Sequence, residues 1–302
     1  MLFDTHAHVL SADRERYPYS TLRGGAKAPV NPVVFAVEDL VRAMDVGGVD
    51  HGCIVQRATI YGYDNSYALD AVAAFPKRFV PIVVLDAQDP ASPGLLKGLA
   101  AKRHLGGLRI VAPELTEKDT AWLDSEEALG LWRTAADLAL PVTVILYRKN
   151  NEAGRAALLG IARKFRDVHI LIDHVGVPHA STPETRYAAS QGVQYVVPPP
   201  PGFGIAESVA QFSDLGHVHF KVTDINFDRL EEGHFDSAAF VRALADRFGA
   251  ERLLWGSDVG QSPAPYNEKL ERLHASAKML SERERALFVG GTAHRLYGKA
   301  LG

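Results

Sequence analysis

Apolar and polar positions alternate along this chain in a regular rhythm of short β-branched runs and longer helical stretches. Met1-Leu2-Phe3 opens it as a strand. Helical spacing follows from Val37 through Leu40, Val41 and Met44, with Glu38 and Asp39 in the first turn and Gly47-Gly48 as the stop. His51 to Gln56 reads as the second strand. The alternation then continues: helix Ser66 to Phe75 and strand Phe79 to Leu85, helix Pro93 to Lys102 and strand Leu105 to Ile110, helix Ser125 to Leu138 and strand Pro141 to Tyr147, helix Glu152 to Phe165 and strand Val168 to Asp173. A helix near Ala206 to Phe212 precedes the seventh strand, His217 to Val222. The helix Ser237 to Phe248 precedes the eighth, Arg252 to Trp255, and a helix from Asn267 to Met279 completes the cycle.

The strands are apolar throughout, as parallel strands covered on both faces are. Eight strand and helix units predict a single-domain α/β protein, a (β/α)8 TIM barrel over residues 1–302. Two stretches break the rhythm. Residues 9–34 hold Pro18, Gly24, Gly25, Pro29 and Pro32; residues 175–216 hold Pro178, Pro183, the run Pro198 to Pro201, Gly202 and Gly204. Both are expected to be elaborated loops that cover the site and set specificity, with Gln194 to Val197 a short strand-like piece inside the second. An open doubly wound sheet would carry a Gly-rich turn after its first strand, where this chain has His6-Ala7-His8.

The barrel turns sequence position into a chemical filter, because active groups gather at the C-terminal ends of the strands. Of the 12 histidines, His51, His104, His169, His217 and His219 fall at strand beginnings and read as structural, and His234, His274 and His294 fall on helices or surface turns. His6 and His8 after strand one, His174 after strand six and His179 in the loop beyond it remain. The other strand ends deliver Gln56 and Arg57, Asp86, Arg109, Tyr147, Lys221 with Thr223 and Asp224, and Ser257 with Asp258. Imidazole and carboxylate donors suit a borderline divalent ion such as zinc, which acidifies bound water, with Asp258 orienting that water and taking its proton. The same histidines could instead polarise a substrate carbonyl without metal. Both routes end in hydrolytic attack on a carbonyl.

Composition narrows the partners. A net charge of −3 with Lys and Arg scattered along 302 residues points away from nucleic acid and anionic membranes and towards a small-molecule substrate. Cys53 is the one cysteine, in an apolar run, which fits a reducing cytoplasm, and no apolar run approaches the roughly 18 residues of a membrane span. Oligomeric state is not legible.

Asp4-Thr5-His6-Ala7-His8, Ile172-Asp173-His174-Val175-Gly176-Val177-Pro178, Trp255-Gly256-Ser257-Asp258 and Ala293-His294-Arg295-Leu296-Tyr297-Gly298 together resemble the amidohydrolase-2 family of the amidohydrolase superfamily. The resemblance spans nearly the whole chain and is strongest to the branch of 2-pyrone-4,6-dicarboxylate lactonase and sugar lactonases. It implies a lactonase, or a related ester or amide hydrolase, acting on a small carboxylated or hydroxylated metabolite. His6, His8 and His174 would surround the reacting carbonyl, Asp258 would be the base, and Arg109 and Tyr147 would contact a substrate anion, with Gln56 and His179 also lining the site. Family members with two metals bridge them by a lysine on strand four, where this chain has Arg109. Mononuclear members, which include non-oxidative decarboxylases of aromatic or unsaturated acids, add a histidine on strand five, where it has Tyr147. The implied metal set is therefore His6, His8, His174 and Asp258, holding one divalent ion, zinc, or none. Lys221 to Asn226 replaces the arginine that binds a second carboxylate, which implies a substrate other than pyrone dicarboxylate. The decarboxylase is the alternative reading.

Overall fold

A computed structural model describes residues 1–22, 32–112, 119–146, 151–176 and 199–302. Tyr147, His179 and the strand-like piece Gln194 to Val197 lie outside them. Eight parallel strands run in chain order around a (β/α)8 barrel: β1 (Phe3–Ala7), β2 (His51–Val55), β3 (Phe79–Val84), β4 (Gly107–Val111), β5 (Val142–Ile145), β6 (Ile170–Ile172), β7 (Val218–Thr223) and β8 (Leu253–Gly256). Neighbours pair in parallel from β1 to β8. The ring closes through a parallel bridge between Ala7 and Val259, just past the end of β8.

Most of the expected helices form with ends displaced by no more than three residues, because frayed end turns are decided by caps rather than by periodicity, while Ala206 to Phe212 divides into a short helix, Ile205–Ser208, and a 3-10 turn, Ala210–Phe212. The last turn expected for Asn267 to Met279, for example, is absent, and that helix spans Tyr266–Ser276. One helix that the apolar pattern does not reveal, Asp224–Glu232, starts directly on β7. It is strongly polar, and its start is held by Asn226, whose Oδ1 accepts the Thr223 backbone N–H at 2.9 Å. No described helix is long and apolar enough to cross a membrane.

Strand parity sorts the side chains. Ile110, Ile172, Phe220 and Val222 pack outward against the helices. Cys53, Val55, Ile82, Leu171 and Leu254 point inward with Phe3 and form a separate apolar plug, with Tyr297 of the C-terminal segment. Successive strand residues face opposite ways, so Arg109 and Lys221 share the inward parity. They lie above the plug, towards the C-terminal mouth. Both are buried, which requires a partner inside the barrel.

Candidate active site

The site is built on the seam between the first and last strands. The register of β1 against β2 shifts between Asp4 and Ala7, and a bulge of this kind re-aims the side chains that follow. On the other side of the seam, the Asp258 backbone N–H donates to His6 O at 2.7 Å and the His8 N–H donates to Val259 O at 2.9 Å. The chain beyond β8 is thereby laid along the His6-Ala7-His8 backbone. Two glycines permit the approach. A Cβ at Gly256 would stand 2.5 Å from His6 Cβ, and one at Gly260, where φ is +81°, would stand 2.3 Å from His8 O. Asp258 itself takes a left-handed φ of 51°, a conformation that non-glycine residues hold only when the surroundings impose it. Buried Asp4 supplies part of that constraint. It accepts hydrogen bonds from Ser257 N (2.9 Å), Ser257 Oγ (2.6 Å), Tyr266 Oη (3.1 Å) and His6 N (3.1 Å).

Three acceptor atoms converge there. His6 Nε2 lies 3.2 Å from His8 Nε2, and Asp258 Oδ1 lies 3.5 Å from the first and 3.4 Å from the second. His8 Nδ1 lies 2.7 Å from Val55 O, and a carbonyl only accepts, so Nδ1 carries the proton and Nε2 of the neutral ring presents a lone pair. His6 Nδ1 lies 3.2 Å from Asp173 Oδ1, whose charge favours a proton on that nitrogen and a lone pair on Nε2. Both Asp258 oxygens are buried without a hydrogen-bond partner among the described residues. Two lone pairs and a carboxylate at such separations repel unless a cation lies among them. Ligands held about 2.0–2.2 Å from a tetrahedral zinc-like ion sit roughly 3.3–3.6 Å apart, close to the three observed spacings. His6, His8 and Asp258 therefore fit one divalent metal ion.

His6 also belongs to a second cluster with Asp173 and His174, but there the carboxylate is already neutralised. Arg109 Nε donates to Asp173 Oδ2 at 2.8 Å and Lys221 Nζ stands 3.4 Å from Oδ1, all of them buried. Burial pushes the Asp173 carboxyl up, but the charges of Lys221 and Arg109 outweigh it and hold the carboxyl well below the usual carboxylate range. Asp258 is likewise held at about 2, burial being opposed by the close approach of His8, His6 and His174. Burial pushes His6 well below an ordinary imidazole, against the pull of Asp173, and lowers His174 as well, against Asp258 and Asp173. Both rings are neutral at pH 7.

The His174 ring centroid lies 5.1 Å from that of His6. Its backbone φ is 54°, and that of Val175 is 53°, an outlier for a β-branched residue. Neighbours pin the turn: Asn226 Nδ2 donates to His174 O at 2.8 Å, and Thr223 Oγ1 lies 2.6 Å from His174 Nδ1.

The expected residues His6, His8, His174 and Asp258 are thus brought together, with His174 outside the three-donor group. Arg109 sits inside the barrel with its Nε committed to Asp173. Gln56 is buried, and its Nε2 donates to Gly62 O and Asp64 O at 3.0 and 2.7 Å, which fastens the loop after β2. Sequence reasoning did not assign roles to Asp173, Lys221 and Asp4. Asp173 and Lys221 were detectable, since both fall on the inward parity at strand ends, but a carboxylate beside a histidine in a motif reads as that histidine's neighbour and not as a hub.

The model of the family described as Amidohydrolase matches residues 3–299. A 4-sulfomuconolactone hydrolase from Hydrogenophaga intermedia is 29% identical over 261 residues, 85% of this chain and 73% of that protein. An L-fucono-1,5-lactonase from Burkholderia ambifaria is 29% identical over 235 residues, 74% of this chain and 69% of that protein. The crystal structure of an amidohydrolase from Burkholderia multivorans with bound zinc superposes with a TM-score of 0.68 at 20% identity, covering 99% of each chain. With a family match across almost its full length, on a (β/α)8 barrel whose mouth gathers His6, His8, His174 and Asp258, this chain belongs to the amidohydrolase family.

Proposed function

We propose that this chain is a lactonase, a hydrolase that opens the ring ester of a small carboxylated or hydroxylated compound. The observation that carries the reading is the convergence of His6 Nε2, His8 Nε2 and Asp258 Oδ1 within 3.5 Å of one another at the barrel mouth. Two relatives whose names describe lactone hydrolysis support it. A divalent cation, with zinc fitting the donor set best, would be held by these three residues and would lower the pKa of a bound water towards neutrality. Asp258 accepts a proton from that water.

The water oxygen bonds to the lactone carbonyl carbon, the ring C–O bond breaks, and the proton held on Asp258 passes to the departing alkoxide. The product is a hydroxy acid. His174, with Thr223 Oγ1 2.6 Å from its Nδ1, turns its Nε2 to the developing oxyanion. Arg109, held through Nε by Asp173, offers its remaining guanidinium N–H groups to substrate. The metal itself is assigned to His6, His8 and Asp258, with His174 acting on the substrate.

A panel of small lactones followed with a pH indicator tests the reading. Asp258→Asn is expected to lower kcat by about 10²-fold or more with an unchanged circular dichroism spectrum and melting temperature. His8→Ala is expected to lose bound metal by elemental analysis. A folded Asp258→Asn enzyme of normal turnover would overturn the mechanism. Release of CO2 from an aromatic acid, with no lactone opened, would favour the decarboxylase.

A further inference from the structure

Two of the buried arginines differ in how their nitrogens are used. Arg252 spends all three on carbonyls: Nε on Val218 O at 2.7 Å, Nη1 on Ser213 O at 2.8 Å and Nη2 on Phe212 O at 2.7 Å. That is how a structural arginine satisfies its donors. Arg57, two residues past the end of β2 and only 9% exposed, makes a single hydrogen bond among the described residues, from Nε to Gln261 Oε1 at 3.1 Å. Its Nη1 is buried without a hydrogen-bond partner among the described residues.

The surroundings of Arg57 are those of a site. Burial lowers the guanidinium's pKa, and the charge of Asp258 is the largest influence opposing this, followed by Tyr61 and Tyr19. Yet Arg57 and Asp258 form no ion pair within 4.0 Å, and both Asp258 oxygens are unpartnered as well. A buried cation and a buried anion feel each other's field across a gap instead of closing it. A direct pair would satisfy both groups, and leaving them apart is costly unless something polar occupies the space. The Tyr19 hydroxyl, from the loop after β1, is also buried without a hydrogen-bond partner among the described residues. Its ring stands edge-on to Tyr61 at 6.0 Å, while the Tyr61 hydroxyl is engaged by the Ser11 backbone N–H at 2.9 Å. Gln261, three residues after Asp258, ties Arg57 to the loop that carries the base.

We propose that Arg57 is the specificity residue of this enzyme: its free guanidinium edge, with the Tyr19 hydroxyl of the loop after β1, binds an anionic substituent of the lactone, a carboxylate or an oxyanion of similar shape, at the end of β2, two strands round the ring from Arg109 on β4. This rests on the lactonase reading and deepens it. The planar fork of an arginine meets two oxygens of such a group at once, and its Nε bond to Gln261 fixes the plane of the fork in advance. The anion docks against Arg57 and the ring carbonyl extends towards Asp258.

The test compares matched ligands. Each carboxylated lactone is paired with its carboxamide for kinetics, and the corresponding non-hydrolysable lactams are paired for calorimetry. The wild type is expected to prefer the carboxylate member in both measurements. Arg57→Gln is expected to lower that preference at least tenfold, mostly through KM. Arg57→Lys should be intermediate, and Gln261→Leu should weaken the preference by freeing the fork. A wild type indifferent to the charge, or an Arg57→Gln variant that weakens both members of a pair equally, overturns the proposal. If Arg57→Gln does not fold, Arg57→Lys and Gln261→Leu decide by the same ratio. If the wild type opens no lactone, the lactonase reading fails, while the lactam pair still decides whether Arg57 selects an anion.

Discussion

Asp173→Asn is the substitution that most directly tests how the barrel interior is held. The carboxylate accepts Arg109 Nε at 2.8 Å, faces Lys221 Nζ at 3.4 Å and stands 3.2 Å from His6 Nδ1, and Asp173 and Lys221 are wholly inaccessible to solvent. An asparagine keeps the volume and removes the charge. Two buried cations then lose their shared counter-ion, and breaking a buried pair from one side costs roughly 3–5 kcal/mol. Most of that penalty is the cation left behind. Adding Lys221→Met to Asp173→Asn should therefore recover part of the loss, giving a double variant more stable than the sum of the single effects by about 1 kcal/mol or more. Function should fall too, because Asp173 favours one tautomer of His6, and, with His6 in its proposed metal-holding role, removing such an outer partner typically costs about 10–100-fold in affinity or rate. Urea unfolding at pH 7.5 and kcat/KM on the best lactone measure the two effects. A cost below about 1 kcal/mol for Asp173→Asn, with strictly additive behaviour in the double variant, would refute the hub.

The acid limb of stability is set at the opposite end of the barrel. His219, buried beside His169 at 3.1 Å, is pushed by burial and by His169 from 6.5 to about 3. A depressed imidazole contributes stability above its unfolded value that is lost as pH falls through 6.5 towards 3, about 3 kcal/mol between pH 7 and 4. Urea titrations of the wild type and His219→Gln at these two pH values should show the wild type losing more, and parallel losses would contradict the assignment. Gly260→Ala places a Cβ 2.3 Å from His8 O at a φ of +81°. A loss of about 1–3 kcal/mol is expected, together with reduced turnover because the His8–Val259 contact must shift. Melting and kinetics read both, and an unaffected variant would show that the seam tolerates expansion.

Much of this molecule is legible in its sequence, for physical reasons that differ by element. Strands such as β3 and β6 announce themselves because both faces are covered, so each reads as an unbroken apolar run. The helix Asp224–Glu232 hides because it is polar, and its signal was a short capping contact between Thr223 and Asn226. His6, His8, His174 and Asp258 were identifiable because the barrel rule assigns meaning to strand ends. Arg109 was identifiable as important, but its Nε serves Asp173, a pairing across 64 residues that no local pattern encodes. Arg57 and Gln261 lie still further apart in the chain and meet only after the ring has formed.

The seam between β1 and β8 also governs when the enzyme becomes competent. Thr5 Oγ1 donates to Trp255 O at 2.6 Å across 250 positions, and Ser257 N donates to Asp4 Oδ1 at 2.9 Å across 253. Contacts of such separation carry the largest loop-closure entropy and form late. The three groups proposed to hold a metal straddle that final joint, with His6 and His8 on one side and Asp258 on the other. A half-assembled barrel therefore presents two imidazoles without their carboxylate and cannot perform the chemistry. In a refolding experiment, activity should return no earlier than the slowest spectroscopic phase, and an earlier return would mean that the ring closes elsewhere. Catalysis here doubles as a report that the two ends of the chain have met.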